Sequence, residues 1–263
     1  MSMSQIHDLP LGLFAVGTIG TFVLLSVLGL WATRPLVARL VGPPPGANDV
    51  VSYYFGAIGV LYGLTVGLIA ITTWQAYTSA EQAVSSEAAA LAAVYLGVSG
   101  YPDKDREPLQ AELKEYTRCV IEEAWPLQRR GEVPRADTDR IARFRGHLAK
   151  FEPATPGQQA LHAETLHSFH RLAELRRVRL LTVTAGVPPA LWWVVLVGSV
   201  LTAASGFLFH LPRLRVHLAL TAVMTAHMGL LVFLIAAMDR PYSGGVSIGP
   251  DAFQLVYDGL MKD

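Results

Sequence analysis

The segment HAETLHSFH contains the residues whose types and spacing come nearest to a metal-binding pattern. Glu164 and His167 form an E-x-x-H motif, and His170 follows on the same face of a helix. Imidazole and carboxylate groups on adjacent helical turns can ligate a transition metal. Helical di-iron sites need two such motifs and further glutamates, however, and the sequence has no second E-x-x-H. The sequence therefore favours a solvated helix face here and predicts no metal site.

Other patterns that carry catalytic chemistry are missing from the sequence. It contains no phosphate-binding loop, dinucleotide-binding glycine fingerprint, G-x-S-x-G or H-E-x-x-H motif. The acidic residues between 103 and 123 alternate with Lys and Arg at helical spacing, which is typical of a salt-bridged surface. We therefore expect no catalytic residue, no cofactor and no enzymatic activity.

His227 is a different kind of candidate, because it lies in the middle of a long apolar segment. An ionisable group inside a membrane is a functional candidate by default. A neutral imidazole that is hydrogen-bonded to a neighbouring helix is also inexpensive, and this structural role is the interpretation that the sequence favours.

Composition defines the class of protein that must position these residues. The 263-residue chain is 52% hydrophobic and only 16% charged, whereas soluble proteins average about 25% charged residues. Twenty-one basic residues balance 21 acidic ones, which excludes the basic excess of a general nucleic-acid binder. The single cysteine, Cys119, cannot form an internal disulfide, and its charged surroundings fit a reducing compartment.

The charge deficit is concentrated in four segments. No Asp, Glu, Lys or Arg occurs at 9–33, 50–80, 180–212 or 216–238. A helix needs about 20 apolar residues to cross the roughly 30 Å hydrocarbon core of a bilayer. The sequence therefore predicts membrane spans at about 11–31, 51–74, 190–210 and 216–238. No Lys or Arg precedes the first apolar run, so we expect it to be retained as an anchor and not cleaved as a signal.

The spans divide the chain into four parts. These are an N-terminal membrane hairpin (1–74), a helical insert (75–185), a C-terminal membrane hairpin (186–238) and a tail (239–263). The stretch 81–179 carries 15 basic and 15 acidic residues, a density typical of a water-exposed domain. With four crossings, the termini and the insert lie on one side of the membrane.

Prolines, glycines and capping residues predict where the helices begin and end. Arg34-Pro35 and the run from Gly42 to Gly46 are expected to stop the first helix. The second helix has no proline after residue 51 and no glycine between Gly67 and Gly97, so it is expected to continue well beyond the bilayer. In the insert, the predicted features are a helix start at 102–107, an end or kink at Trp125-Pro126, a helix at 137–151 and an N-cap at Thr155 followed by Pro156.

The second span has two distinguishable faces. Gly59, Gly63 and Gly67 are spaced by four residues, a pattern that lets another helix approach closely. Four residues about half a turn away must then face something else: Leu61, Thr65, Ile69 and Thr72. From the residues alone, this face contacts either lipid or a pore axis within an oligomer, since an apolar constriction with nearby hydroxyls can gate an ion path.

Four blocks in order resemble a known family. They are WQAYTSAEQAVSSEAAALAAVY after the second span, YTRCVIEEAWP in the insert, GVPPALWWVVLVGS at the third span and DRPYSG after the fourth. Together they resemble bacterial membrane proteins that carry a bestrophin-like domain. The resemblance implies an all-α integral membrane protein with four transmembrane helices and a helical cytoplasmic insert, located in the bacterial inner membrane.

The more distant resemblance to true bestrophins implies a function. Bestrophins are pentameric anion channels, so it implies a homopentamer that conducts small inorganic anions, with Thr65, Ile69 and Thr72 at the pore neck. The segment Asp239, Pro241, Tyr242, Ser243 and Gly244 resembles their acidic-x-Pro-Phe-Gly motif, with Tyr in place of Phe and a serine before the glycine. The acidic run that binds calcium in animal bestrophins is missing, since GVSIGPDAF contains only Asp251.

Two other functions remain open from the sequence. A non-conducting scaffold or signal transducer would use the long second helix and the insert to bind a cytoplasmic partner. A membrane enzyme would need a metal at Glu164, His167 and His170.

Overall fold

A computed structural model of the chain describes residues 10–40, 46–134 and 136–262. These residues form helices and no strand. The helices are α1 (Leu11–Leu40), α2 (Ala47–Ser99), α3 (Asp103–Cys119), α4 (Trp125–Arg129), α5 (Ala136–Leu148), α6 (Pro156–Val183), α7 (Pro189–Phe207), α8 (Leu214–Met238) and α9 (Asp251–Val256). Two π-helical turns, Val120–Ala124 and Tyr257–Met261, adjoin α4 and α9.

Four helices among the described residues are long and apolar enough to cross a membrane. They contain three of the predicted spans in full, and the third (190–210) up to Phe207, where its helix ends. The candidate spans are Leu11–Arg39, Ala47–Ser99, Pro189–Phe207 and Leu214–Met238. The all-α fold with four membrane helices is therefore confirmed.

The described chain divides into two compact units. The first, here called the membrane unit, comprises the described residues up to Gln75 together with Gly186–Asp239. The second, the insert unit, comprises Ala76–Ala185 together with the chain from Arg240 onward.

The expectation that Arg34-Pro35 stops the first helix is wrong. Helix α1 runs through Pro35 to Leu40. Proline removes one backbone donor, and membrane helices tolerate this loss where neighbouring groups satisfy the freed carbonyl. The stop predicted at 42–46 lies mostly outside the described residues; Gly46, at its end, has a φ of +89°, a value that favours glycine.

Helix α2 is a single helix of 53 residues, as the absence of breakers predicted. At 1.5 Å per residue it is roughly 80 Å long, well over twice the thickness of a hydrocarbon core.

The membrane unit is held together by close helix contacts and a small apolar core. Helix α1 packs more extensively against α8 than against α2, its neighbour along the chain. A Cβ on Gly229 of α8 would lie 3.0 Å from the Ile19 Cα and 3.2 Å from the Phe22 Cβ of α1, so glycine permits this approach. The core comprises Val66, Ile69, Val195, Val232 and Ile235.

The core of the insert unit depends on two heptad-like seams. On α2 the buried positions are Ala80, Val84, Glu87, Leu91, Val94 and Val98; on α6 the seam consists of Thr165, Phe169, Leu172, Arg176, Arg179 and Val183. Each follows a 4-3-4-3-4 spacing, the pattern of one packed helix face. Both seams include charged residues, which determine the chemistry of this core.

The helix that starts at Asp103 does not end at Trp125-Pro126. It widens into the π-helical turn Val120–Ala124, in which the Trp125 amide donates to the Val120 carbonyl, and continues to Arg129. The ring of Pro126 would clash with the carbonyl four residues earlier in a regular α-helix, and the wider turn accommodates it. The sequence predicted an end or a kink here, and the backbone uses a local widening.

The remaining insert helices begin close to their predicted starts. Helix α5 covers Ala136–Leu148, and α6 starts at Pro156 with Thr155 as its N-cap. The Thr155 side chain accepts a hydrogen bond from the Gln158 amide at 3.2 Å. This cap confirms the sequence signal.

Candidate functional site

The membrane part of α2 has one buried face and a flank on each side of that face. Its buried face carries Val66, Ile69 and Thr73, all at most 5% exposed, and packs inside the chain. Leu61, Thr65 and Thr72 lie on one flank of that face, and the predicted packing glycines lie on the other. The predicted opposition between glycines and threonines is therefore present as two flanks of one helix.

Ile69 does not belong with the other predicted lining residues. It is 5% exposed and lies in the apolar core with Val195 and Ile235. The assignment of Ile69 to a pore neck is therefore corrected: it points into the helix packing of its own chain. Leu61, by contrast, is 67% exposed, and the chain's own helices leave it uncovered.

The flank with Leu61, Thr65 and Thr72 is here called the open flank. Its two hydroxyl groups form hydrogen bonds within α2. Thr65 donates to the Leu61 carbonyl at 2.8 Å, and Thr72 donates to the Ile69 carbonyl at 2.9 Å. Such bonds to the preceding turn leave the oxygen lone pairs free to accept. Both threonines can therefore face lipid at low cost or rotate to meet a partner.

The glycines on the other flank are uncovered by the part of the chain that the structure describes. A Cβ added to Gly59, Gly63 or Gly67 would meet no atom of that part within 4 Å beyond its own helix turn. Their predicted role in packing thus has no partner among the described residues and stays a prediction about another chain.

The close contact between α2 and α7 depends on a glycine of α7. A Cβ on Gly198 of α7 would lie 2.7 Å from Cδ2 of Tyr62, so only glycine leaves room for that ring. The Tyr62 hydroxyl donates to the Val195 carbonyl at 3.2 Å. Tyr62 and Gly198 therefore fix α2 against α7, a contact that the sequence analysis missed because it singled out glycines on α2 only.

The post-membrane motif begins with a helix-closing carboxylate. Asp239, directly after α8, accepts a hydrogen bond from the Val187 amide just before α7. A Cβ on Gly186 would lie 3.3 Å from the same carboxylate oxygen. Asp239 therefore joins the end of α8 to the start of α7.

The rest of the motif is packed into the insert unit. Tyr242 is 1% exposed, and its hydroxyl lies 2.8 Å from the Thr182 hydroxyl. The Pro241 carbonyl accepts from the Ile248 amide at 2.8 Å, and Ser243 donates to the Arg129 carbonyl. Gly244 has a φ of +87°, which favours glycine. The motif thus positions the tail through buried contacts.

The insert unit also contains a fully buried ion pair. Arg179 donates from Nε to Glu87 Oε2 at 2.6 Å and from Nη2 to Glu87 Oε1 at 3.1 Å. Neither side chain is exposed to solvent. A bidentate guanidinium–carboxylate pair is the strong form of this contact. Burial opposes the charge on Arg179, but the Glu87 carboxylate more than compensates and raises the pKa of the guanidinium.

A second acid and base complete the cluster. Asp137 is fully buried and pairs with Arg176 at 2.9 Å, while Arg179 Nη2 lies 3.8 Å from the other Asp137 oxygen. Two carboxylates thus balance two guanidinium groups. Tyr116 donates its hydroxyl to Glu87 at 3.1 Å, and burial, reinforced by the Glu87 charge, raises the pKa of Tyr116 well above its ordinary value. The cluster links α2, α3, α5 and α6.

Aromatic rings enclose the remaining side of Arg179. Its Cζ lies 5.7 Å from the centroid of the Trp125 ring and 5.6 Å from that of Phe253, within the range of cation–π contacts. Trp125 in turn packs edge-on against Tyr242, and its indole N–H donates to the Ile248 carbonyl at 3.2 Å. One arginine therefore joins the insert helices to the tail.

Comparison with known proteins decides the family. A family model of the bestrophin-like domain matches residues 20–253. The chain belongs to the bestrophin-like family. It also superposes on a crystal structure of a membrane protein with a TM-score of 0.63 at 11% identity, covering 94% of this chain and 98% of that one. At this identity the likeness shows the fold alone. A comparison with curated proteins gives no match.

Membership of the bestrophin-like family supports a location in a lipid bilayer, in agreement with the four described helices that are long and apolar enough to cross one. Sequence reasoning missed the Glu87–Arg179 cluster, although a signal was present: Glu87 interrupts an apolar seam at the position between Val84 and Leu91. A charge at such a position must be paired, and Arg179 occupies the equivalent place on α6.

A cleft in the insert unit of this bestrophin-like chain is lined by Asp251, the acidic residue of GVSIGPDAF. The cleft has a volume of about 570 Å³ and lies between the start of the insert part of α2 and the segment before α9. Its polar lining also includes Tyr77, Glu81, Gln82 and Ser247. Tyr77 is engaged, because its hydroxyl donates to the Val246 carbonyl at 2.8 Å.

The histidine-rich face of α6 is open. His167, His170 and Glu174 line a shallow cleft of about 410 Å³ together with Arg171, whose positive charge disfavours a cation there. Within 10–40, 46–134 and 136–262, no group of three His, Cys, Asp or Glu side chains could hold a metal ion. The geometry therefore lends no support to a metal enzyme.

His227 lies on the exposed face of α8. It makes no hydrogen bond to any residue that the structure describes. Its expected bond to a neighbouring helix thus has no partner in the described part of this chain and stays a prediction.

Proposed function

We propose that the chain is a homo-oligomeric, anion-conducting channel in which the α2 helices of sister chains line a common axial pore. The observation that carries this proposal is the open flank of α2. Leu61, Thr65 and Thr72 lie at membrane depth on a helix of which the opposite flank bears unfilled glycines. Sister helices that pack against those glycines would leave this flank facing an axis.

The chemistry of the flank suits an uncharged ion path. No Asp, Glu, Lys or Arg occurs between 50 and 80, so no acid on this stretch of α2 repels an anion. A hydroxyl of Thr65 or Thr72 that rotates away from its backbone acceptor can donate to a partly dehydrated anion. Leu61 supplies an apolar constriction that can gate by dewetting.

We extend the proposal to assembly and orientation by the resemblance to bestrophins. The ring would contain five chains in the bacterial inner membrane, with the insert unit and both termini in the cytoplasm. Small inorganic anions such as chloride would be the permeant species.

A non-conducting scaffold is the second candidate. The side of α2 opposite its buried face favours this function. Leu64, Leu68 and Ile71 lie between the two flanks and are all more than half exposed. An apolar strip suits lipid or another helix better than water. In this alternative, α2 and the insert unit bind a cytoplasmic partner and transmit no ion.

Two measurements on purified protein separate these candidates. The mass of the detergent-solubilised particle should correspond to at least three chains, because a monomer or dimer cannot enclose an axial pore of this kind. Planar-bilayer recordings under a chloride gradient should give a reversal potential near that of chloride. A monomer or dimer would overturn the channel, and a verified oligomer that passes no current at several pH values would favour the scaffold.

A further inference from the structure

His227 occupies an unusual place for a polar side chain. It lies one residue from the midpoint of α8, so about 16 to 20 Å of helix separates it from either end. It is exposed and has no hydrogen-bond partner among the described residues. Its environment in the bilayer is therefore hydrocarbon unless another molecule covers it.

An imidazole cannot remain unbonded at this depth without cost. A polar group transferred to hydrocarbon without a hydrogen bond is destabilised by several times the thermal energy. Lipid headgroups are beyond the reach of a histidine at the midpoint of a span, and hydrocarbon chains offer no acceptor. Only water in a cavity or a polar group of another protein chain can satisfy it.

The surroundings of His227 on α8 have the pattern of a helix-packing seam. Five exposed apolar residues share its face and, together with His227, follow a 4-3-4-3-4 spacing: Val216, Leu220, Val223, Leu230 and Leu234. A single polar residue within an apolar seam of this spacing typically fixes register and partner choice. The apolar remainder of the face argues against a water-filled cavity.

A complementary place exists on α1 at the same depth. The contact between Gly229 and Ile19–Phe22 places Thr21 and His227 within about one helical turn of each other in depth. Thr21 is exposed, and its hydroxyl donates only to the Gly17 carbonyl, which leaves its oxygen free to accept. A Cβ added to Gly17 or Gly20 beside it would meet no atom of the described residues within 4 Å, which leaves room for an imidazole ring.

We propose that His227 of one chain docks into the notch formed by Gly17, Gly20 and Thr21 of a second copy, where its ring N–H donates to the Thr21 hydroxyl. We assign this contact to a second copy of the chain because Thr21, the hydrogen-bond acceptor, lies on this same chain at the membrane depth of His227. A contact between two different patches that repeats head to tail forms a ring where the rotation between copies closes. The inference rests on the oligomer of the proposed function but does not require conduction.

Disulfide cross-linking tests the contact directly, because replacing the single cysteine with Cys119→Ser gives a cysteine-free background. Thr21→Cys and His227→Cys are made in separate chains that carry tags of different mass, and the chains are co-expressed. Oxidation in membranes should give a heterodimer band that carries both tags, which excludes a bond within one chain. The matched control pairs Thr21→Cys with Leu64→Cys, an exposed site on α2, and should give little of this band.

Substitution of the donor tests its contribution. His227→Leu should weaken self-association by about three- to thirtyfold, the range for interhelical hydrogen bonds in membranes. His227→Asn retains a donor and should restore most of the loss, and Thr21→Val should have little further effect in the His227→Leu chain. Association is measured from the particle mass over a dilution series in detergent.

The outcomes are distinct for the two proposals. An intact oligomer without the Thr21–His227 cross-link, or with the Leu64 control cross-linked instead, would overturn the contact and leave the channel proposal standing. Rapid modification of the His227→Cys chain by a membrane-impermeant thiol reagent would also overturn it, because the side chain would then face water. A positive cross-link in a particle that passes no current would refute the channel and support the contact.

Discussion

Arg179 and Glu87 form two hydrogen bonds, of 2.6 and 3.1 Å, in a core where neither side chain is exposed. Because both charges are desolvated, the pair is more informative about specificity than about net stability. Removing one partner leaves the other charged and buried, which is the costly state.

Glu87→Gln should therefore destabilise the protein by roughly 3 to 5 kcal/mol. The measurement is thermal unfolding of the detergent-purified protein. Glu81→Gln, on the exposed face of the same helix, is the matched control and should stay within about 0.5 kcal/mol of the parent. Adding Arg179→Met to Glu87→Gln should recover part of the loss; equal effects of Glu81→Gln and Glu87→Gln would contradict the role of the pair.

Adjacent threonines on α2 provide a test of the proposed ion path. Thr72 lies on the open flank, whereas Thr73 is 4% exposed and faces the core of its own chain. Thr72→Val should reduce single-channel conductance by about fivefold, the equivalent of one lost hydrogen bond of about 1 kcal/mol. Thr73→Val should leave conductance within a factor of about two. If the buried substitution had the larger effect, the axis would lie on another face of α2.

Glycines of two kinds should respond differently to alanine. Gly198→Ala places a methyl group 2.7 Å from the Tyr62 ring, so it should cost about 1 to 3 kcal/mol as the ring is displaced. The methyl group of Gly63→Ala would meet no described atom within 4 Å, so this substitution should leave the thermal stability of the separated chain unchanged or slightly higher. If sister helices pack against Gly63, its substitution should weaken the oligomer, which particle mass reports. Unchanged stability in Gly198→Ala would show that the Tyr62 contact is not tight.

His162 should make the insert unit sensitive to mild acid. Its Nδ1 lies 2.6 Å from the Tyr101 hydroxyl, and burial lowers the pKa of the imidazole below its ordinary value of 6.5. The folded state therefore binds this proton less readily than the unfolded chain. The contribution of His162 to stability is fully present above about pH 6.5 and declines as the pH falls through the folded-state pKa.

Thermal unfolding between about pH 7.5 and pH 5 measures this effect. His162→Gln should flatten the acid side of the profile, while His167→Gln, at an exposed position on the same helix, should keep the parent profile. A profile that is identical for the parent and His162→Gln would show that this histidine does not govern the acid response.

Sequence reasoning recovered the features that depend on local or one-dimensional signals. Four charge-free segments gave the four spans because hydrocarbon excludes charge over a fixed thickness. Thr155 followed by Pro156 gave the start of α6 because a cap depends on neighbouring residues only. The continuous α2 followed from the absence of helix breakers.

The residues of the candidate site could not be predicted from sequence spacing alone, because their positions depend on how the helices pack. Ile69 was assigned to a pore because it lies about half a turn from the glycines, yet its rotation relative to α7 and α8 buries it. Rotation depends on which helices pack, and Tyr62 against Gly198 determines this for α2. The Glu87–Arg179 pair joins residues 92 positions apart, a distance over which helical periodicity carries no information.

The π-helical turn at Val120–Ala124 makes chain length itself part of the design of the insert unit. Losing one residue from this turn would return the backbone to a regular α-helix, in which the ring of Pro126 clashes with the carbonyl four residues earlier. Relief of that clash would displace Trp125 from Arg179 and from the carbonyl of Ile248 that accepts its indole N–H. A single-codon deletion here would therefore do more harm than most amino-acid replacements, and relatives should vary this turn in sequence while keeping its residue count.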